Sequence, residues 1–381
     1  MNLAFWRTKS RPAETRPGGV PFWATPISTG GGRAPRSYEA QVRAAYLGNP
    51  VAARAVRLVS EGAGGAPLVS EPGGHPALRL LETCGCGASG PRLMETLAAQ
   101  LLLHGNAYVE VACGADGLPA ALYALRPERV SVEVDAQGWP VTYVYRAGDN
   151  VTRYAAETLG EEAGLLHIRS FHPLDDHYGL GCLGAASDAV AVHNAAARWN
   201  QALLDNAARP SGALVYQPGD GSSLSAEQYE RLKAEMEAGF AGAANAGRPM
   251  LLEGGLQWQA LSMTPAEMDF ARARDTAARE IALAFGVPPL LLGLPGDATY
   301  ANYKEANVAL WRLTLLPLTT RLLDALSAHL RHWWPDLALR VDRDAVPALS
   351  EDRERLWAQV SAATFLTDAE KRAALGLESG A

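Results

Sequence analysis

An α+β fold built from more than one subdomain is predicted by three observations. Long runs of helical apolar spacing stand between capping signals, most plainly over 264–285, 185–208 and 300–334. Between 107 and 146 the pattern changes to four short strand-like runs, 107–111, 121–125, 130–134 and 141–146, punctuated by Gly117, Gly138 and Asp149. Strands clustered beside helices, rather than alternating with them, read as an antiparallel meander in an α+β unit. The third observation is length: 381 residues exceed what one core usually organises, so two or three subdomains are expected.

The chain begins with a polar stretch, residues 1–37, in which Arg7, Lys9, Arg11 and Arg16 are broken by Pro12 and Pro17. It lacks the apolar centre of a signal peptide and reads as a flexible arm. Tyr38 to Glu61 is helical, with a break or new start at Asn49-Pro50 and a buried stripe of Ala52, Val56 and Val59. Pro91 to His104 is a compact helix stopped by Gly105. After the short strands, 164–183 holds one more strand and a polar loop. The helix over 185–208 is alanine-rich, which suits close packing against another helix. Residues 212–261 form a self-contained insert: a strand at 212–217, a helix at 225–240, a loop at 241–247, and strands at 248–253 and 256–261. Ser225 and Gln228 make a capping box at the start of its helix.

Thr264, Pro265 and Glu267 then open a helix as hydroxyl cap, first-turn proline and reciprocal acid. Phe270, Ala277, Ile281 and Phe285 follow helical spacing, Asp275 is placed to pair with Arg279, and Gly286 with Pro288-Pro289 ends the run. A short linker leads to the helix from Tyr300 to Trp334, which Pro317 must kink. Its aromatic end, His332-Trp333-Trp334, reads as core. A helix at 350–363 and a box from Thr367 to Glu370 close the chain.

Two stretches tempt a chemical reading. His167, His172, Asp175, Asp176 and His177 could ligate a metal, but no histidine pair is spaced four apart on one helix. Gly179-Leu-Gly181-Cys-Leu-Gly184 spells GxGxxG, which alone is a weak sign of dinucleotide binding. Asp205 has roughly the spacing of the ribose-binding acid but lies inside a helical run. There is no nucleophile elbow, Walker loop or HExxH. Four cysteines make no disulfide framework and predict reduced thiols in a cytoplasmic product. No window approaches the roughly 18 to 20 apolar residues of a membrane span. The net charge of −7 argues against broad phosphate neutralisation, though not against a surface past which DNA slides.

The segment EIALAFGVPPLLLGLPGDATYANYKEA carries a family pattern, an "aFgVPp.llG" run at Ala284–Gly293 followed by "yaN..ea" at Tyr300–Ala306. Further matches fall at Leu101–Glu110, Leu122–Val132, Pro210–Leu214, Leu224–Lys233 and Asn245–Gly254. A further match closes the chain, with Asp368 where the family usually has asparagine and Arg372 matching the family's arginine. On these motifs the chain resembles HK97-type tailed-phage portal proteins, and in particular the portals of bacterial gene transfer agents. The resemblance implies a portal fold with wing (38–184), first stem helix (185–210), clip (211–263), second stem helix (264–286) and tunnel loop (287–299). A kinked long helix with wing return (300–341) and a short C-terminal helical crown (342–381) complete it.

It also implies a function without catalysis or cofactor: a ring of twelve copies at one capsid vertex, assembled in the bacterial cytoplasm and retained in the virion or phage-like particle. Double-stranded DNA would pass through it non-specifically. Large terminase, a head-completion adaptor and the major capsid protein would be partners, with no membrane. Leu291, Leu292, Gly293, Leu294, Pro295, Gly296, Asp297, Ala298 and Thr299 would line the narrowest part of the channel. Lys304 and Arg312 are the nearest cations. Glu227, Glu230, Arg231, Lys233 and Glu237 would dock partners on the clip, and Phe270, Arg272, Asp275, Arg279 and Ile281 would belong to the stem. The alternative of another class is a metal-dependent hydrolase using the 167–177 cluster.

Overall fold

The computed structural model describes residues 37–82, 92–156, 165–205, 212–216, 225–240, 256–260, 270–294 and 299–375. The chain divides into two compact units, one made of 1–187 with 281–381 and the other of 188–280.

The first unit starts with α1 (Tyr38–Val42), a π-helical turn at Arg43–Leu47, and α2 (Pro50–Gly64). Asn49 does what its position predicts: its side chain accepts the amides of Val51 and Ala52 at 3.0 Å, and Pro50 fills the first helical position. Ala52, Ala55, Val56, Val59 and Ala63 are buried. They face α4 (Leu93–Leu103), where Gly64 lets the helices close: a methyl group there would lie 2.7 Å from Glu95 Cβ. Between these helices come β1 (Leu68–Glu71) and α3 (Ala77–Glu82). β1 pairs antiparallel with β10 (Ala338–Val341), from Leu68 opposite Val341 to Glu71 opposite Ala338. Neither strand was foreseen. Four residues carry too little alternation to register, and the pairing is entirely non-local.

The predicted single meander is corrected to two three-stranded sheets. β2 (Asn106–Cys113), β3 (Pro119–Leu125) and β7 (Leu165–Arg169) are ordered β3-β2-β7. β4 (Val130–Val134), β5 (Pro140–Ala147) and β6 (Asn150–Ala155) form the other as a true meander. β7 returns along the open side of β2, Tyr108 opposite His167, so β2 is central and not an edge. β6 is almost wholly exposed, which is why NVTRYA shows no buried face in sequence. Tyr108, Leu125, Val130 and Leu165 make a shared core, flanked by Tyr143, Tyr145 and Tyr154.

α5 (Cys182–Asp205) leads into the second unit, which contains the antiparallel pair β8 (Gly212–Tyr216) and β9 (Leu256–Ala260) and the helix α6 (Ala226–Phe240). The Ser225–Gln228 box forms in both directions, at 2.9 and 3.2 Å. The expected strand at 248–253, the loop at 241–247 and the helix start at Thr264–Glu267 lie outside the described residues, as does the arm over 1–36. α7 (Phe270–Ala284) leads out again.

α8 (Tyr300–Leu310) continues through a π-helical turn, Trp311–Leu315, into α9 (Leu316–Leu330). Pro317 therefore does not end the helix. The turn before it is widened, Leu316 N–H reaching Trp311 O five residues back, and the helix runs on past the proline. Trp333 and Trp334 are half-buried, Trp334 edge-on to His75, while His332 is exposed, so the aromatic end is core only in part. α10 (Ser350–Ala362) and α11 (Asp368–Ala374) follow, with the Thr367–Glu370 box closed at 2.8 and 3.3 Å.

Candidate functional site

The segment that carries the family pattern is first of all a helix stop. Gly286 adopts φ 65°, its N–H bonds to Leu283 O, and Val287 N–H bonds to Ala282 O. That pair of bonds is a Schellman cap, and Ala282 and Val287 supply its buried apolar contact. Phe285 is buried beside it, and Thr314 Oγ1 donates to Gly286 O at 2.6 Å, tying the stop to the π-helical turn. The stretch Pro289–Leu292 then forms a 3-10 turn closed by Gly293 at φ 73°.

The expected channel residues divide accordingly. Leu291, Leu292 and Leu294 are half-buried, with Leu291 and Leu292 held in the turn, so the linker is ordered at its start. Pro295, Gly296, Asp297 and Ala298 lie outside the described residues. Thr299 caps α8 by accepting the Asn302 amide at 3.2 Å. Lys304 is half-buried and Arg312 exposed.

In the second unit Glu227, Glu230, Arg231 and Lys233 are exposed on α6, while the Glu237 side chain lies outside the described residues. Arg272, Asp275 and Arg279 are exposed on α7 and Ile281 is buried. The Phe270 side chain is not among those described. α5 and α7 touch through a bond that sequence gave no sign of: Arg274 Nε donates to His193 Nε2 at 3.3 Å. Burial, then the Arg274 charge, lowers the His193 pKa and keeps its ring a neutral acceptor.

The histidine- and aspartate-rich loop is committed to hydrogen bonds of the fold. His167 Nε2 faces Asn106 Oδ1 at 3.0 Å, its Nδ1 faces the Tyr143 hydroxyl at 3.4 Å, and its ring stacks on Tyr108 at 4.3 Å. His172 Nδ1 accepts the Leu174 amide, and Asp175 Oδ1 accepts the amides of His177 and Tyr178. The Arg169 guanidinium donates to Asp176 O. Among the described residues no group of three or more His, Cys, Asp or Glu side chains is arranged to hold a metal ion.

The GxGxxG run has an equally structural use. Gly105, at φ 84°, meets Gly179 and Gly181 backbone to backbone: methyl groups would lie 2.4 Å from Gly181 N at Gly105 and 2.0 Å from Gly105 O at Gly179. Asn106 fastens the crossing. Its Oδ1 accepts the Gly179 amide at 2.7 Å, while its Nδ2 donates to Gly179 O at 3.3 Å and faces His104 Nδ1 at 3.1 Å. The hub assigns the tautomers: His167 carries its proton on Nε2, and His104 accepts on Nδ1. Asp205 lies at the described end of α5 and follows no strand, so the dinucleotide reading has no support. The meeting of Gly105 with the glycine run is not visible in the sequence. The lone Gly105 at the end of a helix gave no sign of its partner in Gly179 and Gly181.

A family model described as "Phage portal protein" matches residues 50–376. The chain belongs to the phage portal protein family. A chain of the solved "Virion of native gene transfer agent (GTA) particle" is 48% identical with a TM-score of 0.70, over 92% of this chain and 97% of that one. A chain of the "Neck of native GTA particle computed with C12 symmetry" is likewise 48% identical, with a TM-score of 0.69 and the same coverage. An HK97 family phage portal protein from Corynebacterium diphtheriae shares the fold at 19% identity, with a TM-score of 0.56, covering 83% of this chain and 99% of that one. Portal proteins and particle necks are structural components. The hydrolase alternative therefore finds support neither in the family nor in the bonded-up 167–177 loop. Among the described residues no helix is long and apolar enough to cross a membrane.

Proposed function

We propose that this portal protein forms a closed ring of twelve copies at one vertex of a gene-transfer-agent or phage-like particle, and that double-stranded DNA passes through its centre. The observation that carries this reading is the 48% identity, over nearly the whole chain, to a component of a neck with twelve-fold symmetry. Residues 38–184 serve as wing, 185–210 and 264–286 as stem helices, 211–263 as clip, 287–299 as tunnel loop, 300–341 as long helix and wing return, and 342–381 as crown. Large terminase docks on the clip, a head-completion adaptor follows it there, and the major capsid protein surrounds the ring.

The loop Leu291–Thr299 lines the constriction. It contains Asp297 and no lysine or arginine, so it cannot clamp phosphates, and a ring of such loops makes a weakly repelling collar. Asp297→Lys is expected to slow or stall packaging by adding phosphate attraction while rings still assemble. A DNA-filling assay on mutant particles that retain the portal tests this, and normal filling defeats the loop assignment. The exposed acids of α6 support a docking role for the clip. Charge reversal at Glu230 and Glu237 is expected to weaken motor association without dispersing rings. Unchanged pull-down of the motor, together with its loss on wing substitutions, would move docking elsewhere.

A further inference from the structure

A cleft of about 580 Å³ beside α9 is lined by Arg312, Arg321 and Arg343, together with Thr320, Asp324 and Pro317. Arg312 comes from the π-helical turn, Thr320, Arg321 and Asp324 from α9, and Arg343 from the segment after β10, so three parts of the chain bring guanidinium groups to one place. The acids beside Arg343 in sequence are used elsewhere. Asp342 Oδ1 accepts the amides of Asp344 and Ala345, and Asp344 pairs with Arg353 at 2.8 Å. Among the described residues neither Arg321 nor Arg343 forms an ion pair. Arg321 and Arg343 thus set two guanidinium charges without an ion pair against the one carboxylate of the lining, Asp324, in a chain whose formal charge is −7.

We infer that this cleft binds a phosphate group. A carboxylate offers two coplanar oxygens, which a single guanidinium fork satisfies. A phosphate offers tetrahedral oxygens and up to two charges, which engage the two forks of Arg321 and Arg343 and a hydroxyl such as that of Thr320 together. Asp324 in the same lining repels a second phosphate, so the cleft suits one group and not a track along a strand. Its source is either a DNA backbone phosphate or a soluble phosphate compound. The inference goes beyond the portal reading and does not need ring assembly.

The test titrates the purified full chain with sodium phosphate and with a polyglutamate peptide by calorimetry, and with a short fluorescent DNA duplex by anisotropy at several salt concentrations. Both are repeated on Arg343→Ala and on Arg321→Ala/Arg343→Ala. Phosphate is expected to bind, and the double substitution to weaken it by about tenfold or more, with Arg343→Ala intermediate. Arg343 lies outside regular structure, so its single variant keeps the test open if the double variant misfolds. Duplex binding without free-phosphate binding, with the salt slope reduced by roughly two in the double variant, assigns the phosphate to DNA. Binding of neither probe, equal binding in the variants, or preference for a polyglutamate peptide over phosphate overturns the inference. Ring formation is read separately by particle mass, so failure here is distinguishable from failure of the portal reading.

Discussion

Gly179→Ala is expected to cost at least about 4 kcal/mol and to leave little folded protein, the scale reserved for core overpacking or severe strain. The added methyl group would sit 2.0 Å from Gly105 O, 2.6 Å from Ser170 N and 2.8 Å from Ser170 O. All three are backbone atoms, so no side chain can swing aside. Relief would require parting the two segments, and that breaks the Asn106 bonds to Gly179 and the Ser170 N–H bond to Gly105 O at 2.8 Å. Gly117 and Gly138 supply the control. Their φ values of 75° and 90° carry backbone strain, but nothing stands within 4 Å, so alanine there should cost only about 1 kcal/mol. Urea unfolding of the three variants tests the contrast. Equal stability of Gly179→Ala and Gly117→Ala would show that the glycine crossing is not under the constraint described.

Acidification from pH 7 to pH 5 is expected to destabilise the first unit through the same hub. Burial lowers His104 to about 4. It lowers His167 to about 3, with help from the charges of Arg169, His104 and His177. An unfolded histidine titrates near 6.5, so below that pH the unfolded chain takes up protons that the folded chain refuses. Stability is therefore fully present above about pH 6.5 and falls with pH until the folded values are reached. Both rings keep some exposed surface, so the loss at pH 5 is set at roughly 1 kcal/mol or a little more for each. The bonding gives the reason: a proton on His104 Nδ1 would face the Asn106 amide donor, donor against donor. A His104→Asn/His167→Gln variant keeps an acceptor and a donor at these places and should unfold in urea with a much flatter dependence between pH 7 and 5. A flat dependence in the unsubstituted protein over that range contradicts the assignment.

What was legible in the sequence was local. Ser225 with Gln228 and Thr367 with Glu370 act on amides within three residues and form the caps that their spacing announces, and Asn49 caps the new start expected at Asn49-Pro50. Gly286 with two following prolines spelled a stop, and the backbone there closes as a Schellman cap. What was not legible depends on segments far apart in the chain. The β1–β10 pair joins the start of the first unit to its end, and four-residue strands leave no period to read. β7 docks on β2 and not beside β6, which no alternation pattern could announce. GxGxxG reads alike whether glycines cradle a phosphate or let two backbones cross. Only Gly105 standing opposite decides it. His167 and Asp175 looked like ligands because their true partners, Asn106 and Tyr143 for one and neighbouring amides for the other, are invisible at the level of residue type. Pro317 correctly marked a disturbance, but the chain meets it with a π-helical turn whose position no residue alone encodes.

Electron microscopy of the purified full-length protein, with particle mass measured on the same sample, tests the ring most directly. Rings with an open centre and twelve-fold symmetry are expected, at twelve times the mass of one chain. A monodisperse single chain at high concentration, persisting across salt conditions and in the presence of capsid and adaptor proteins, would contradict it.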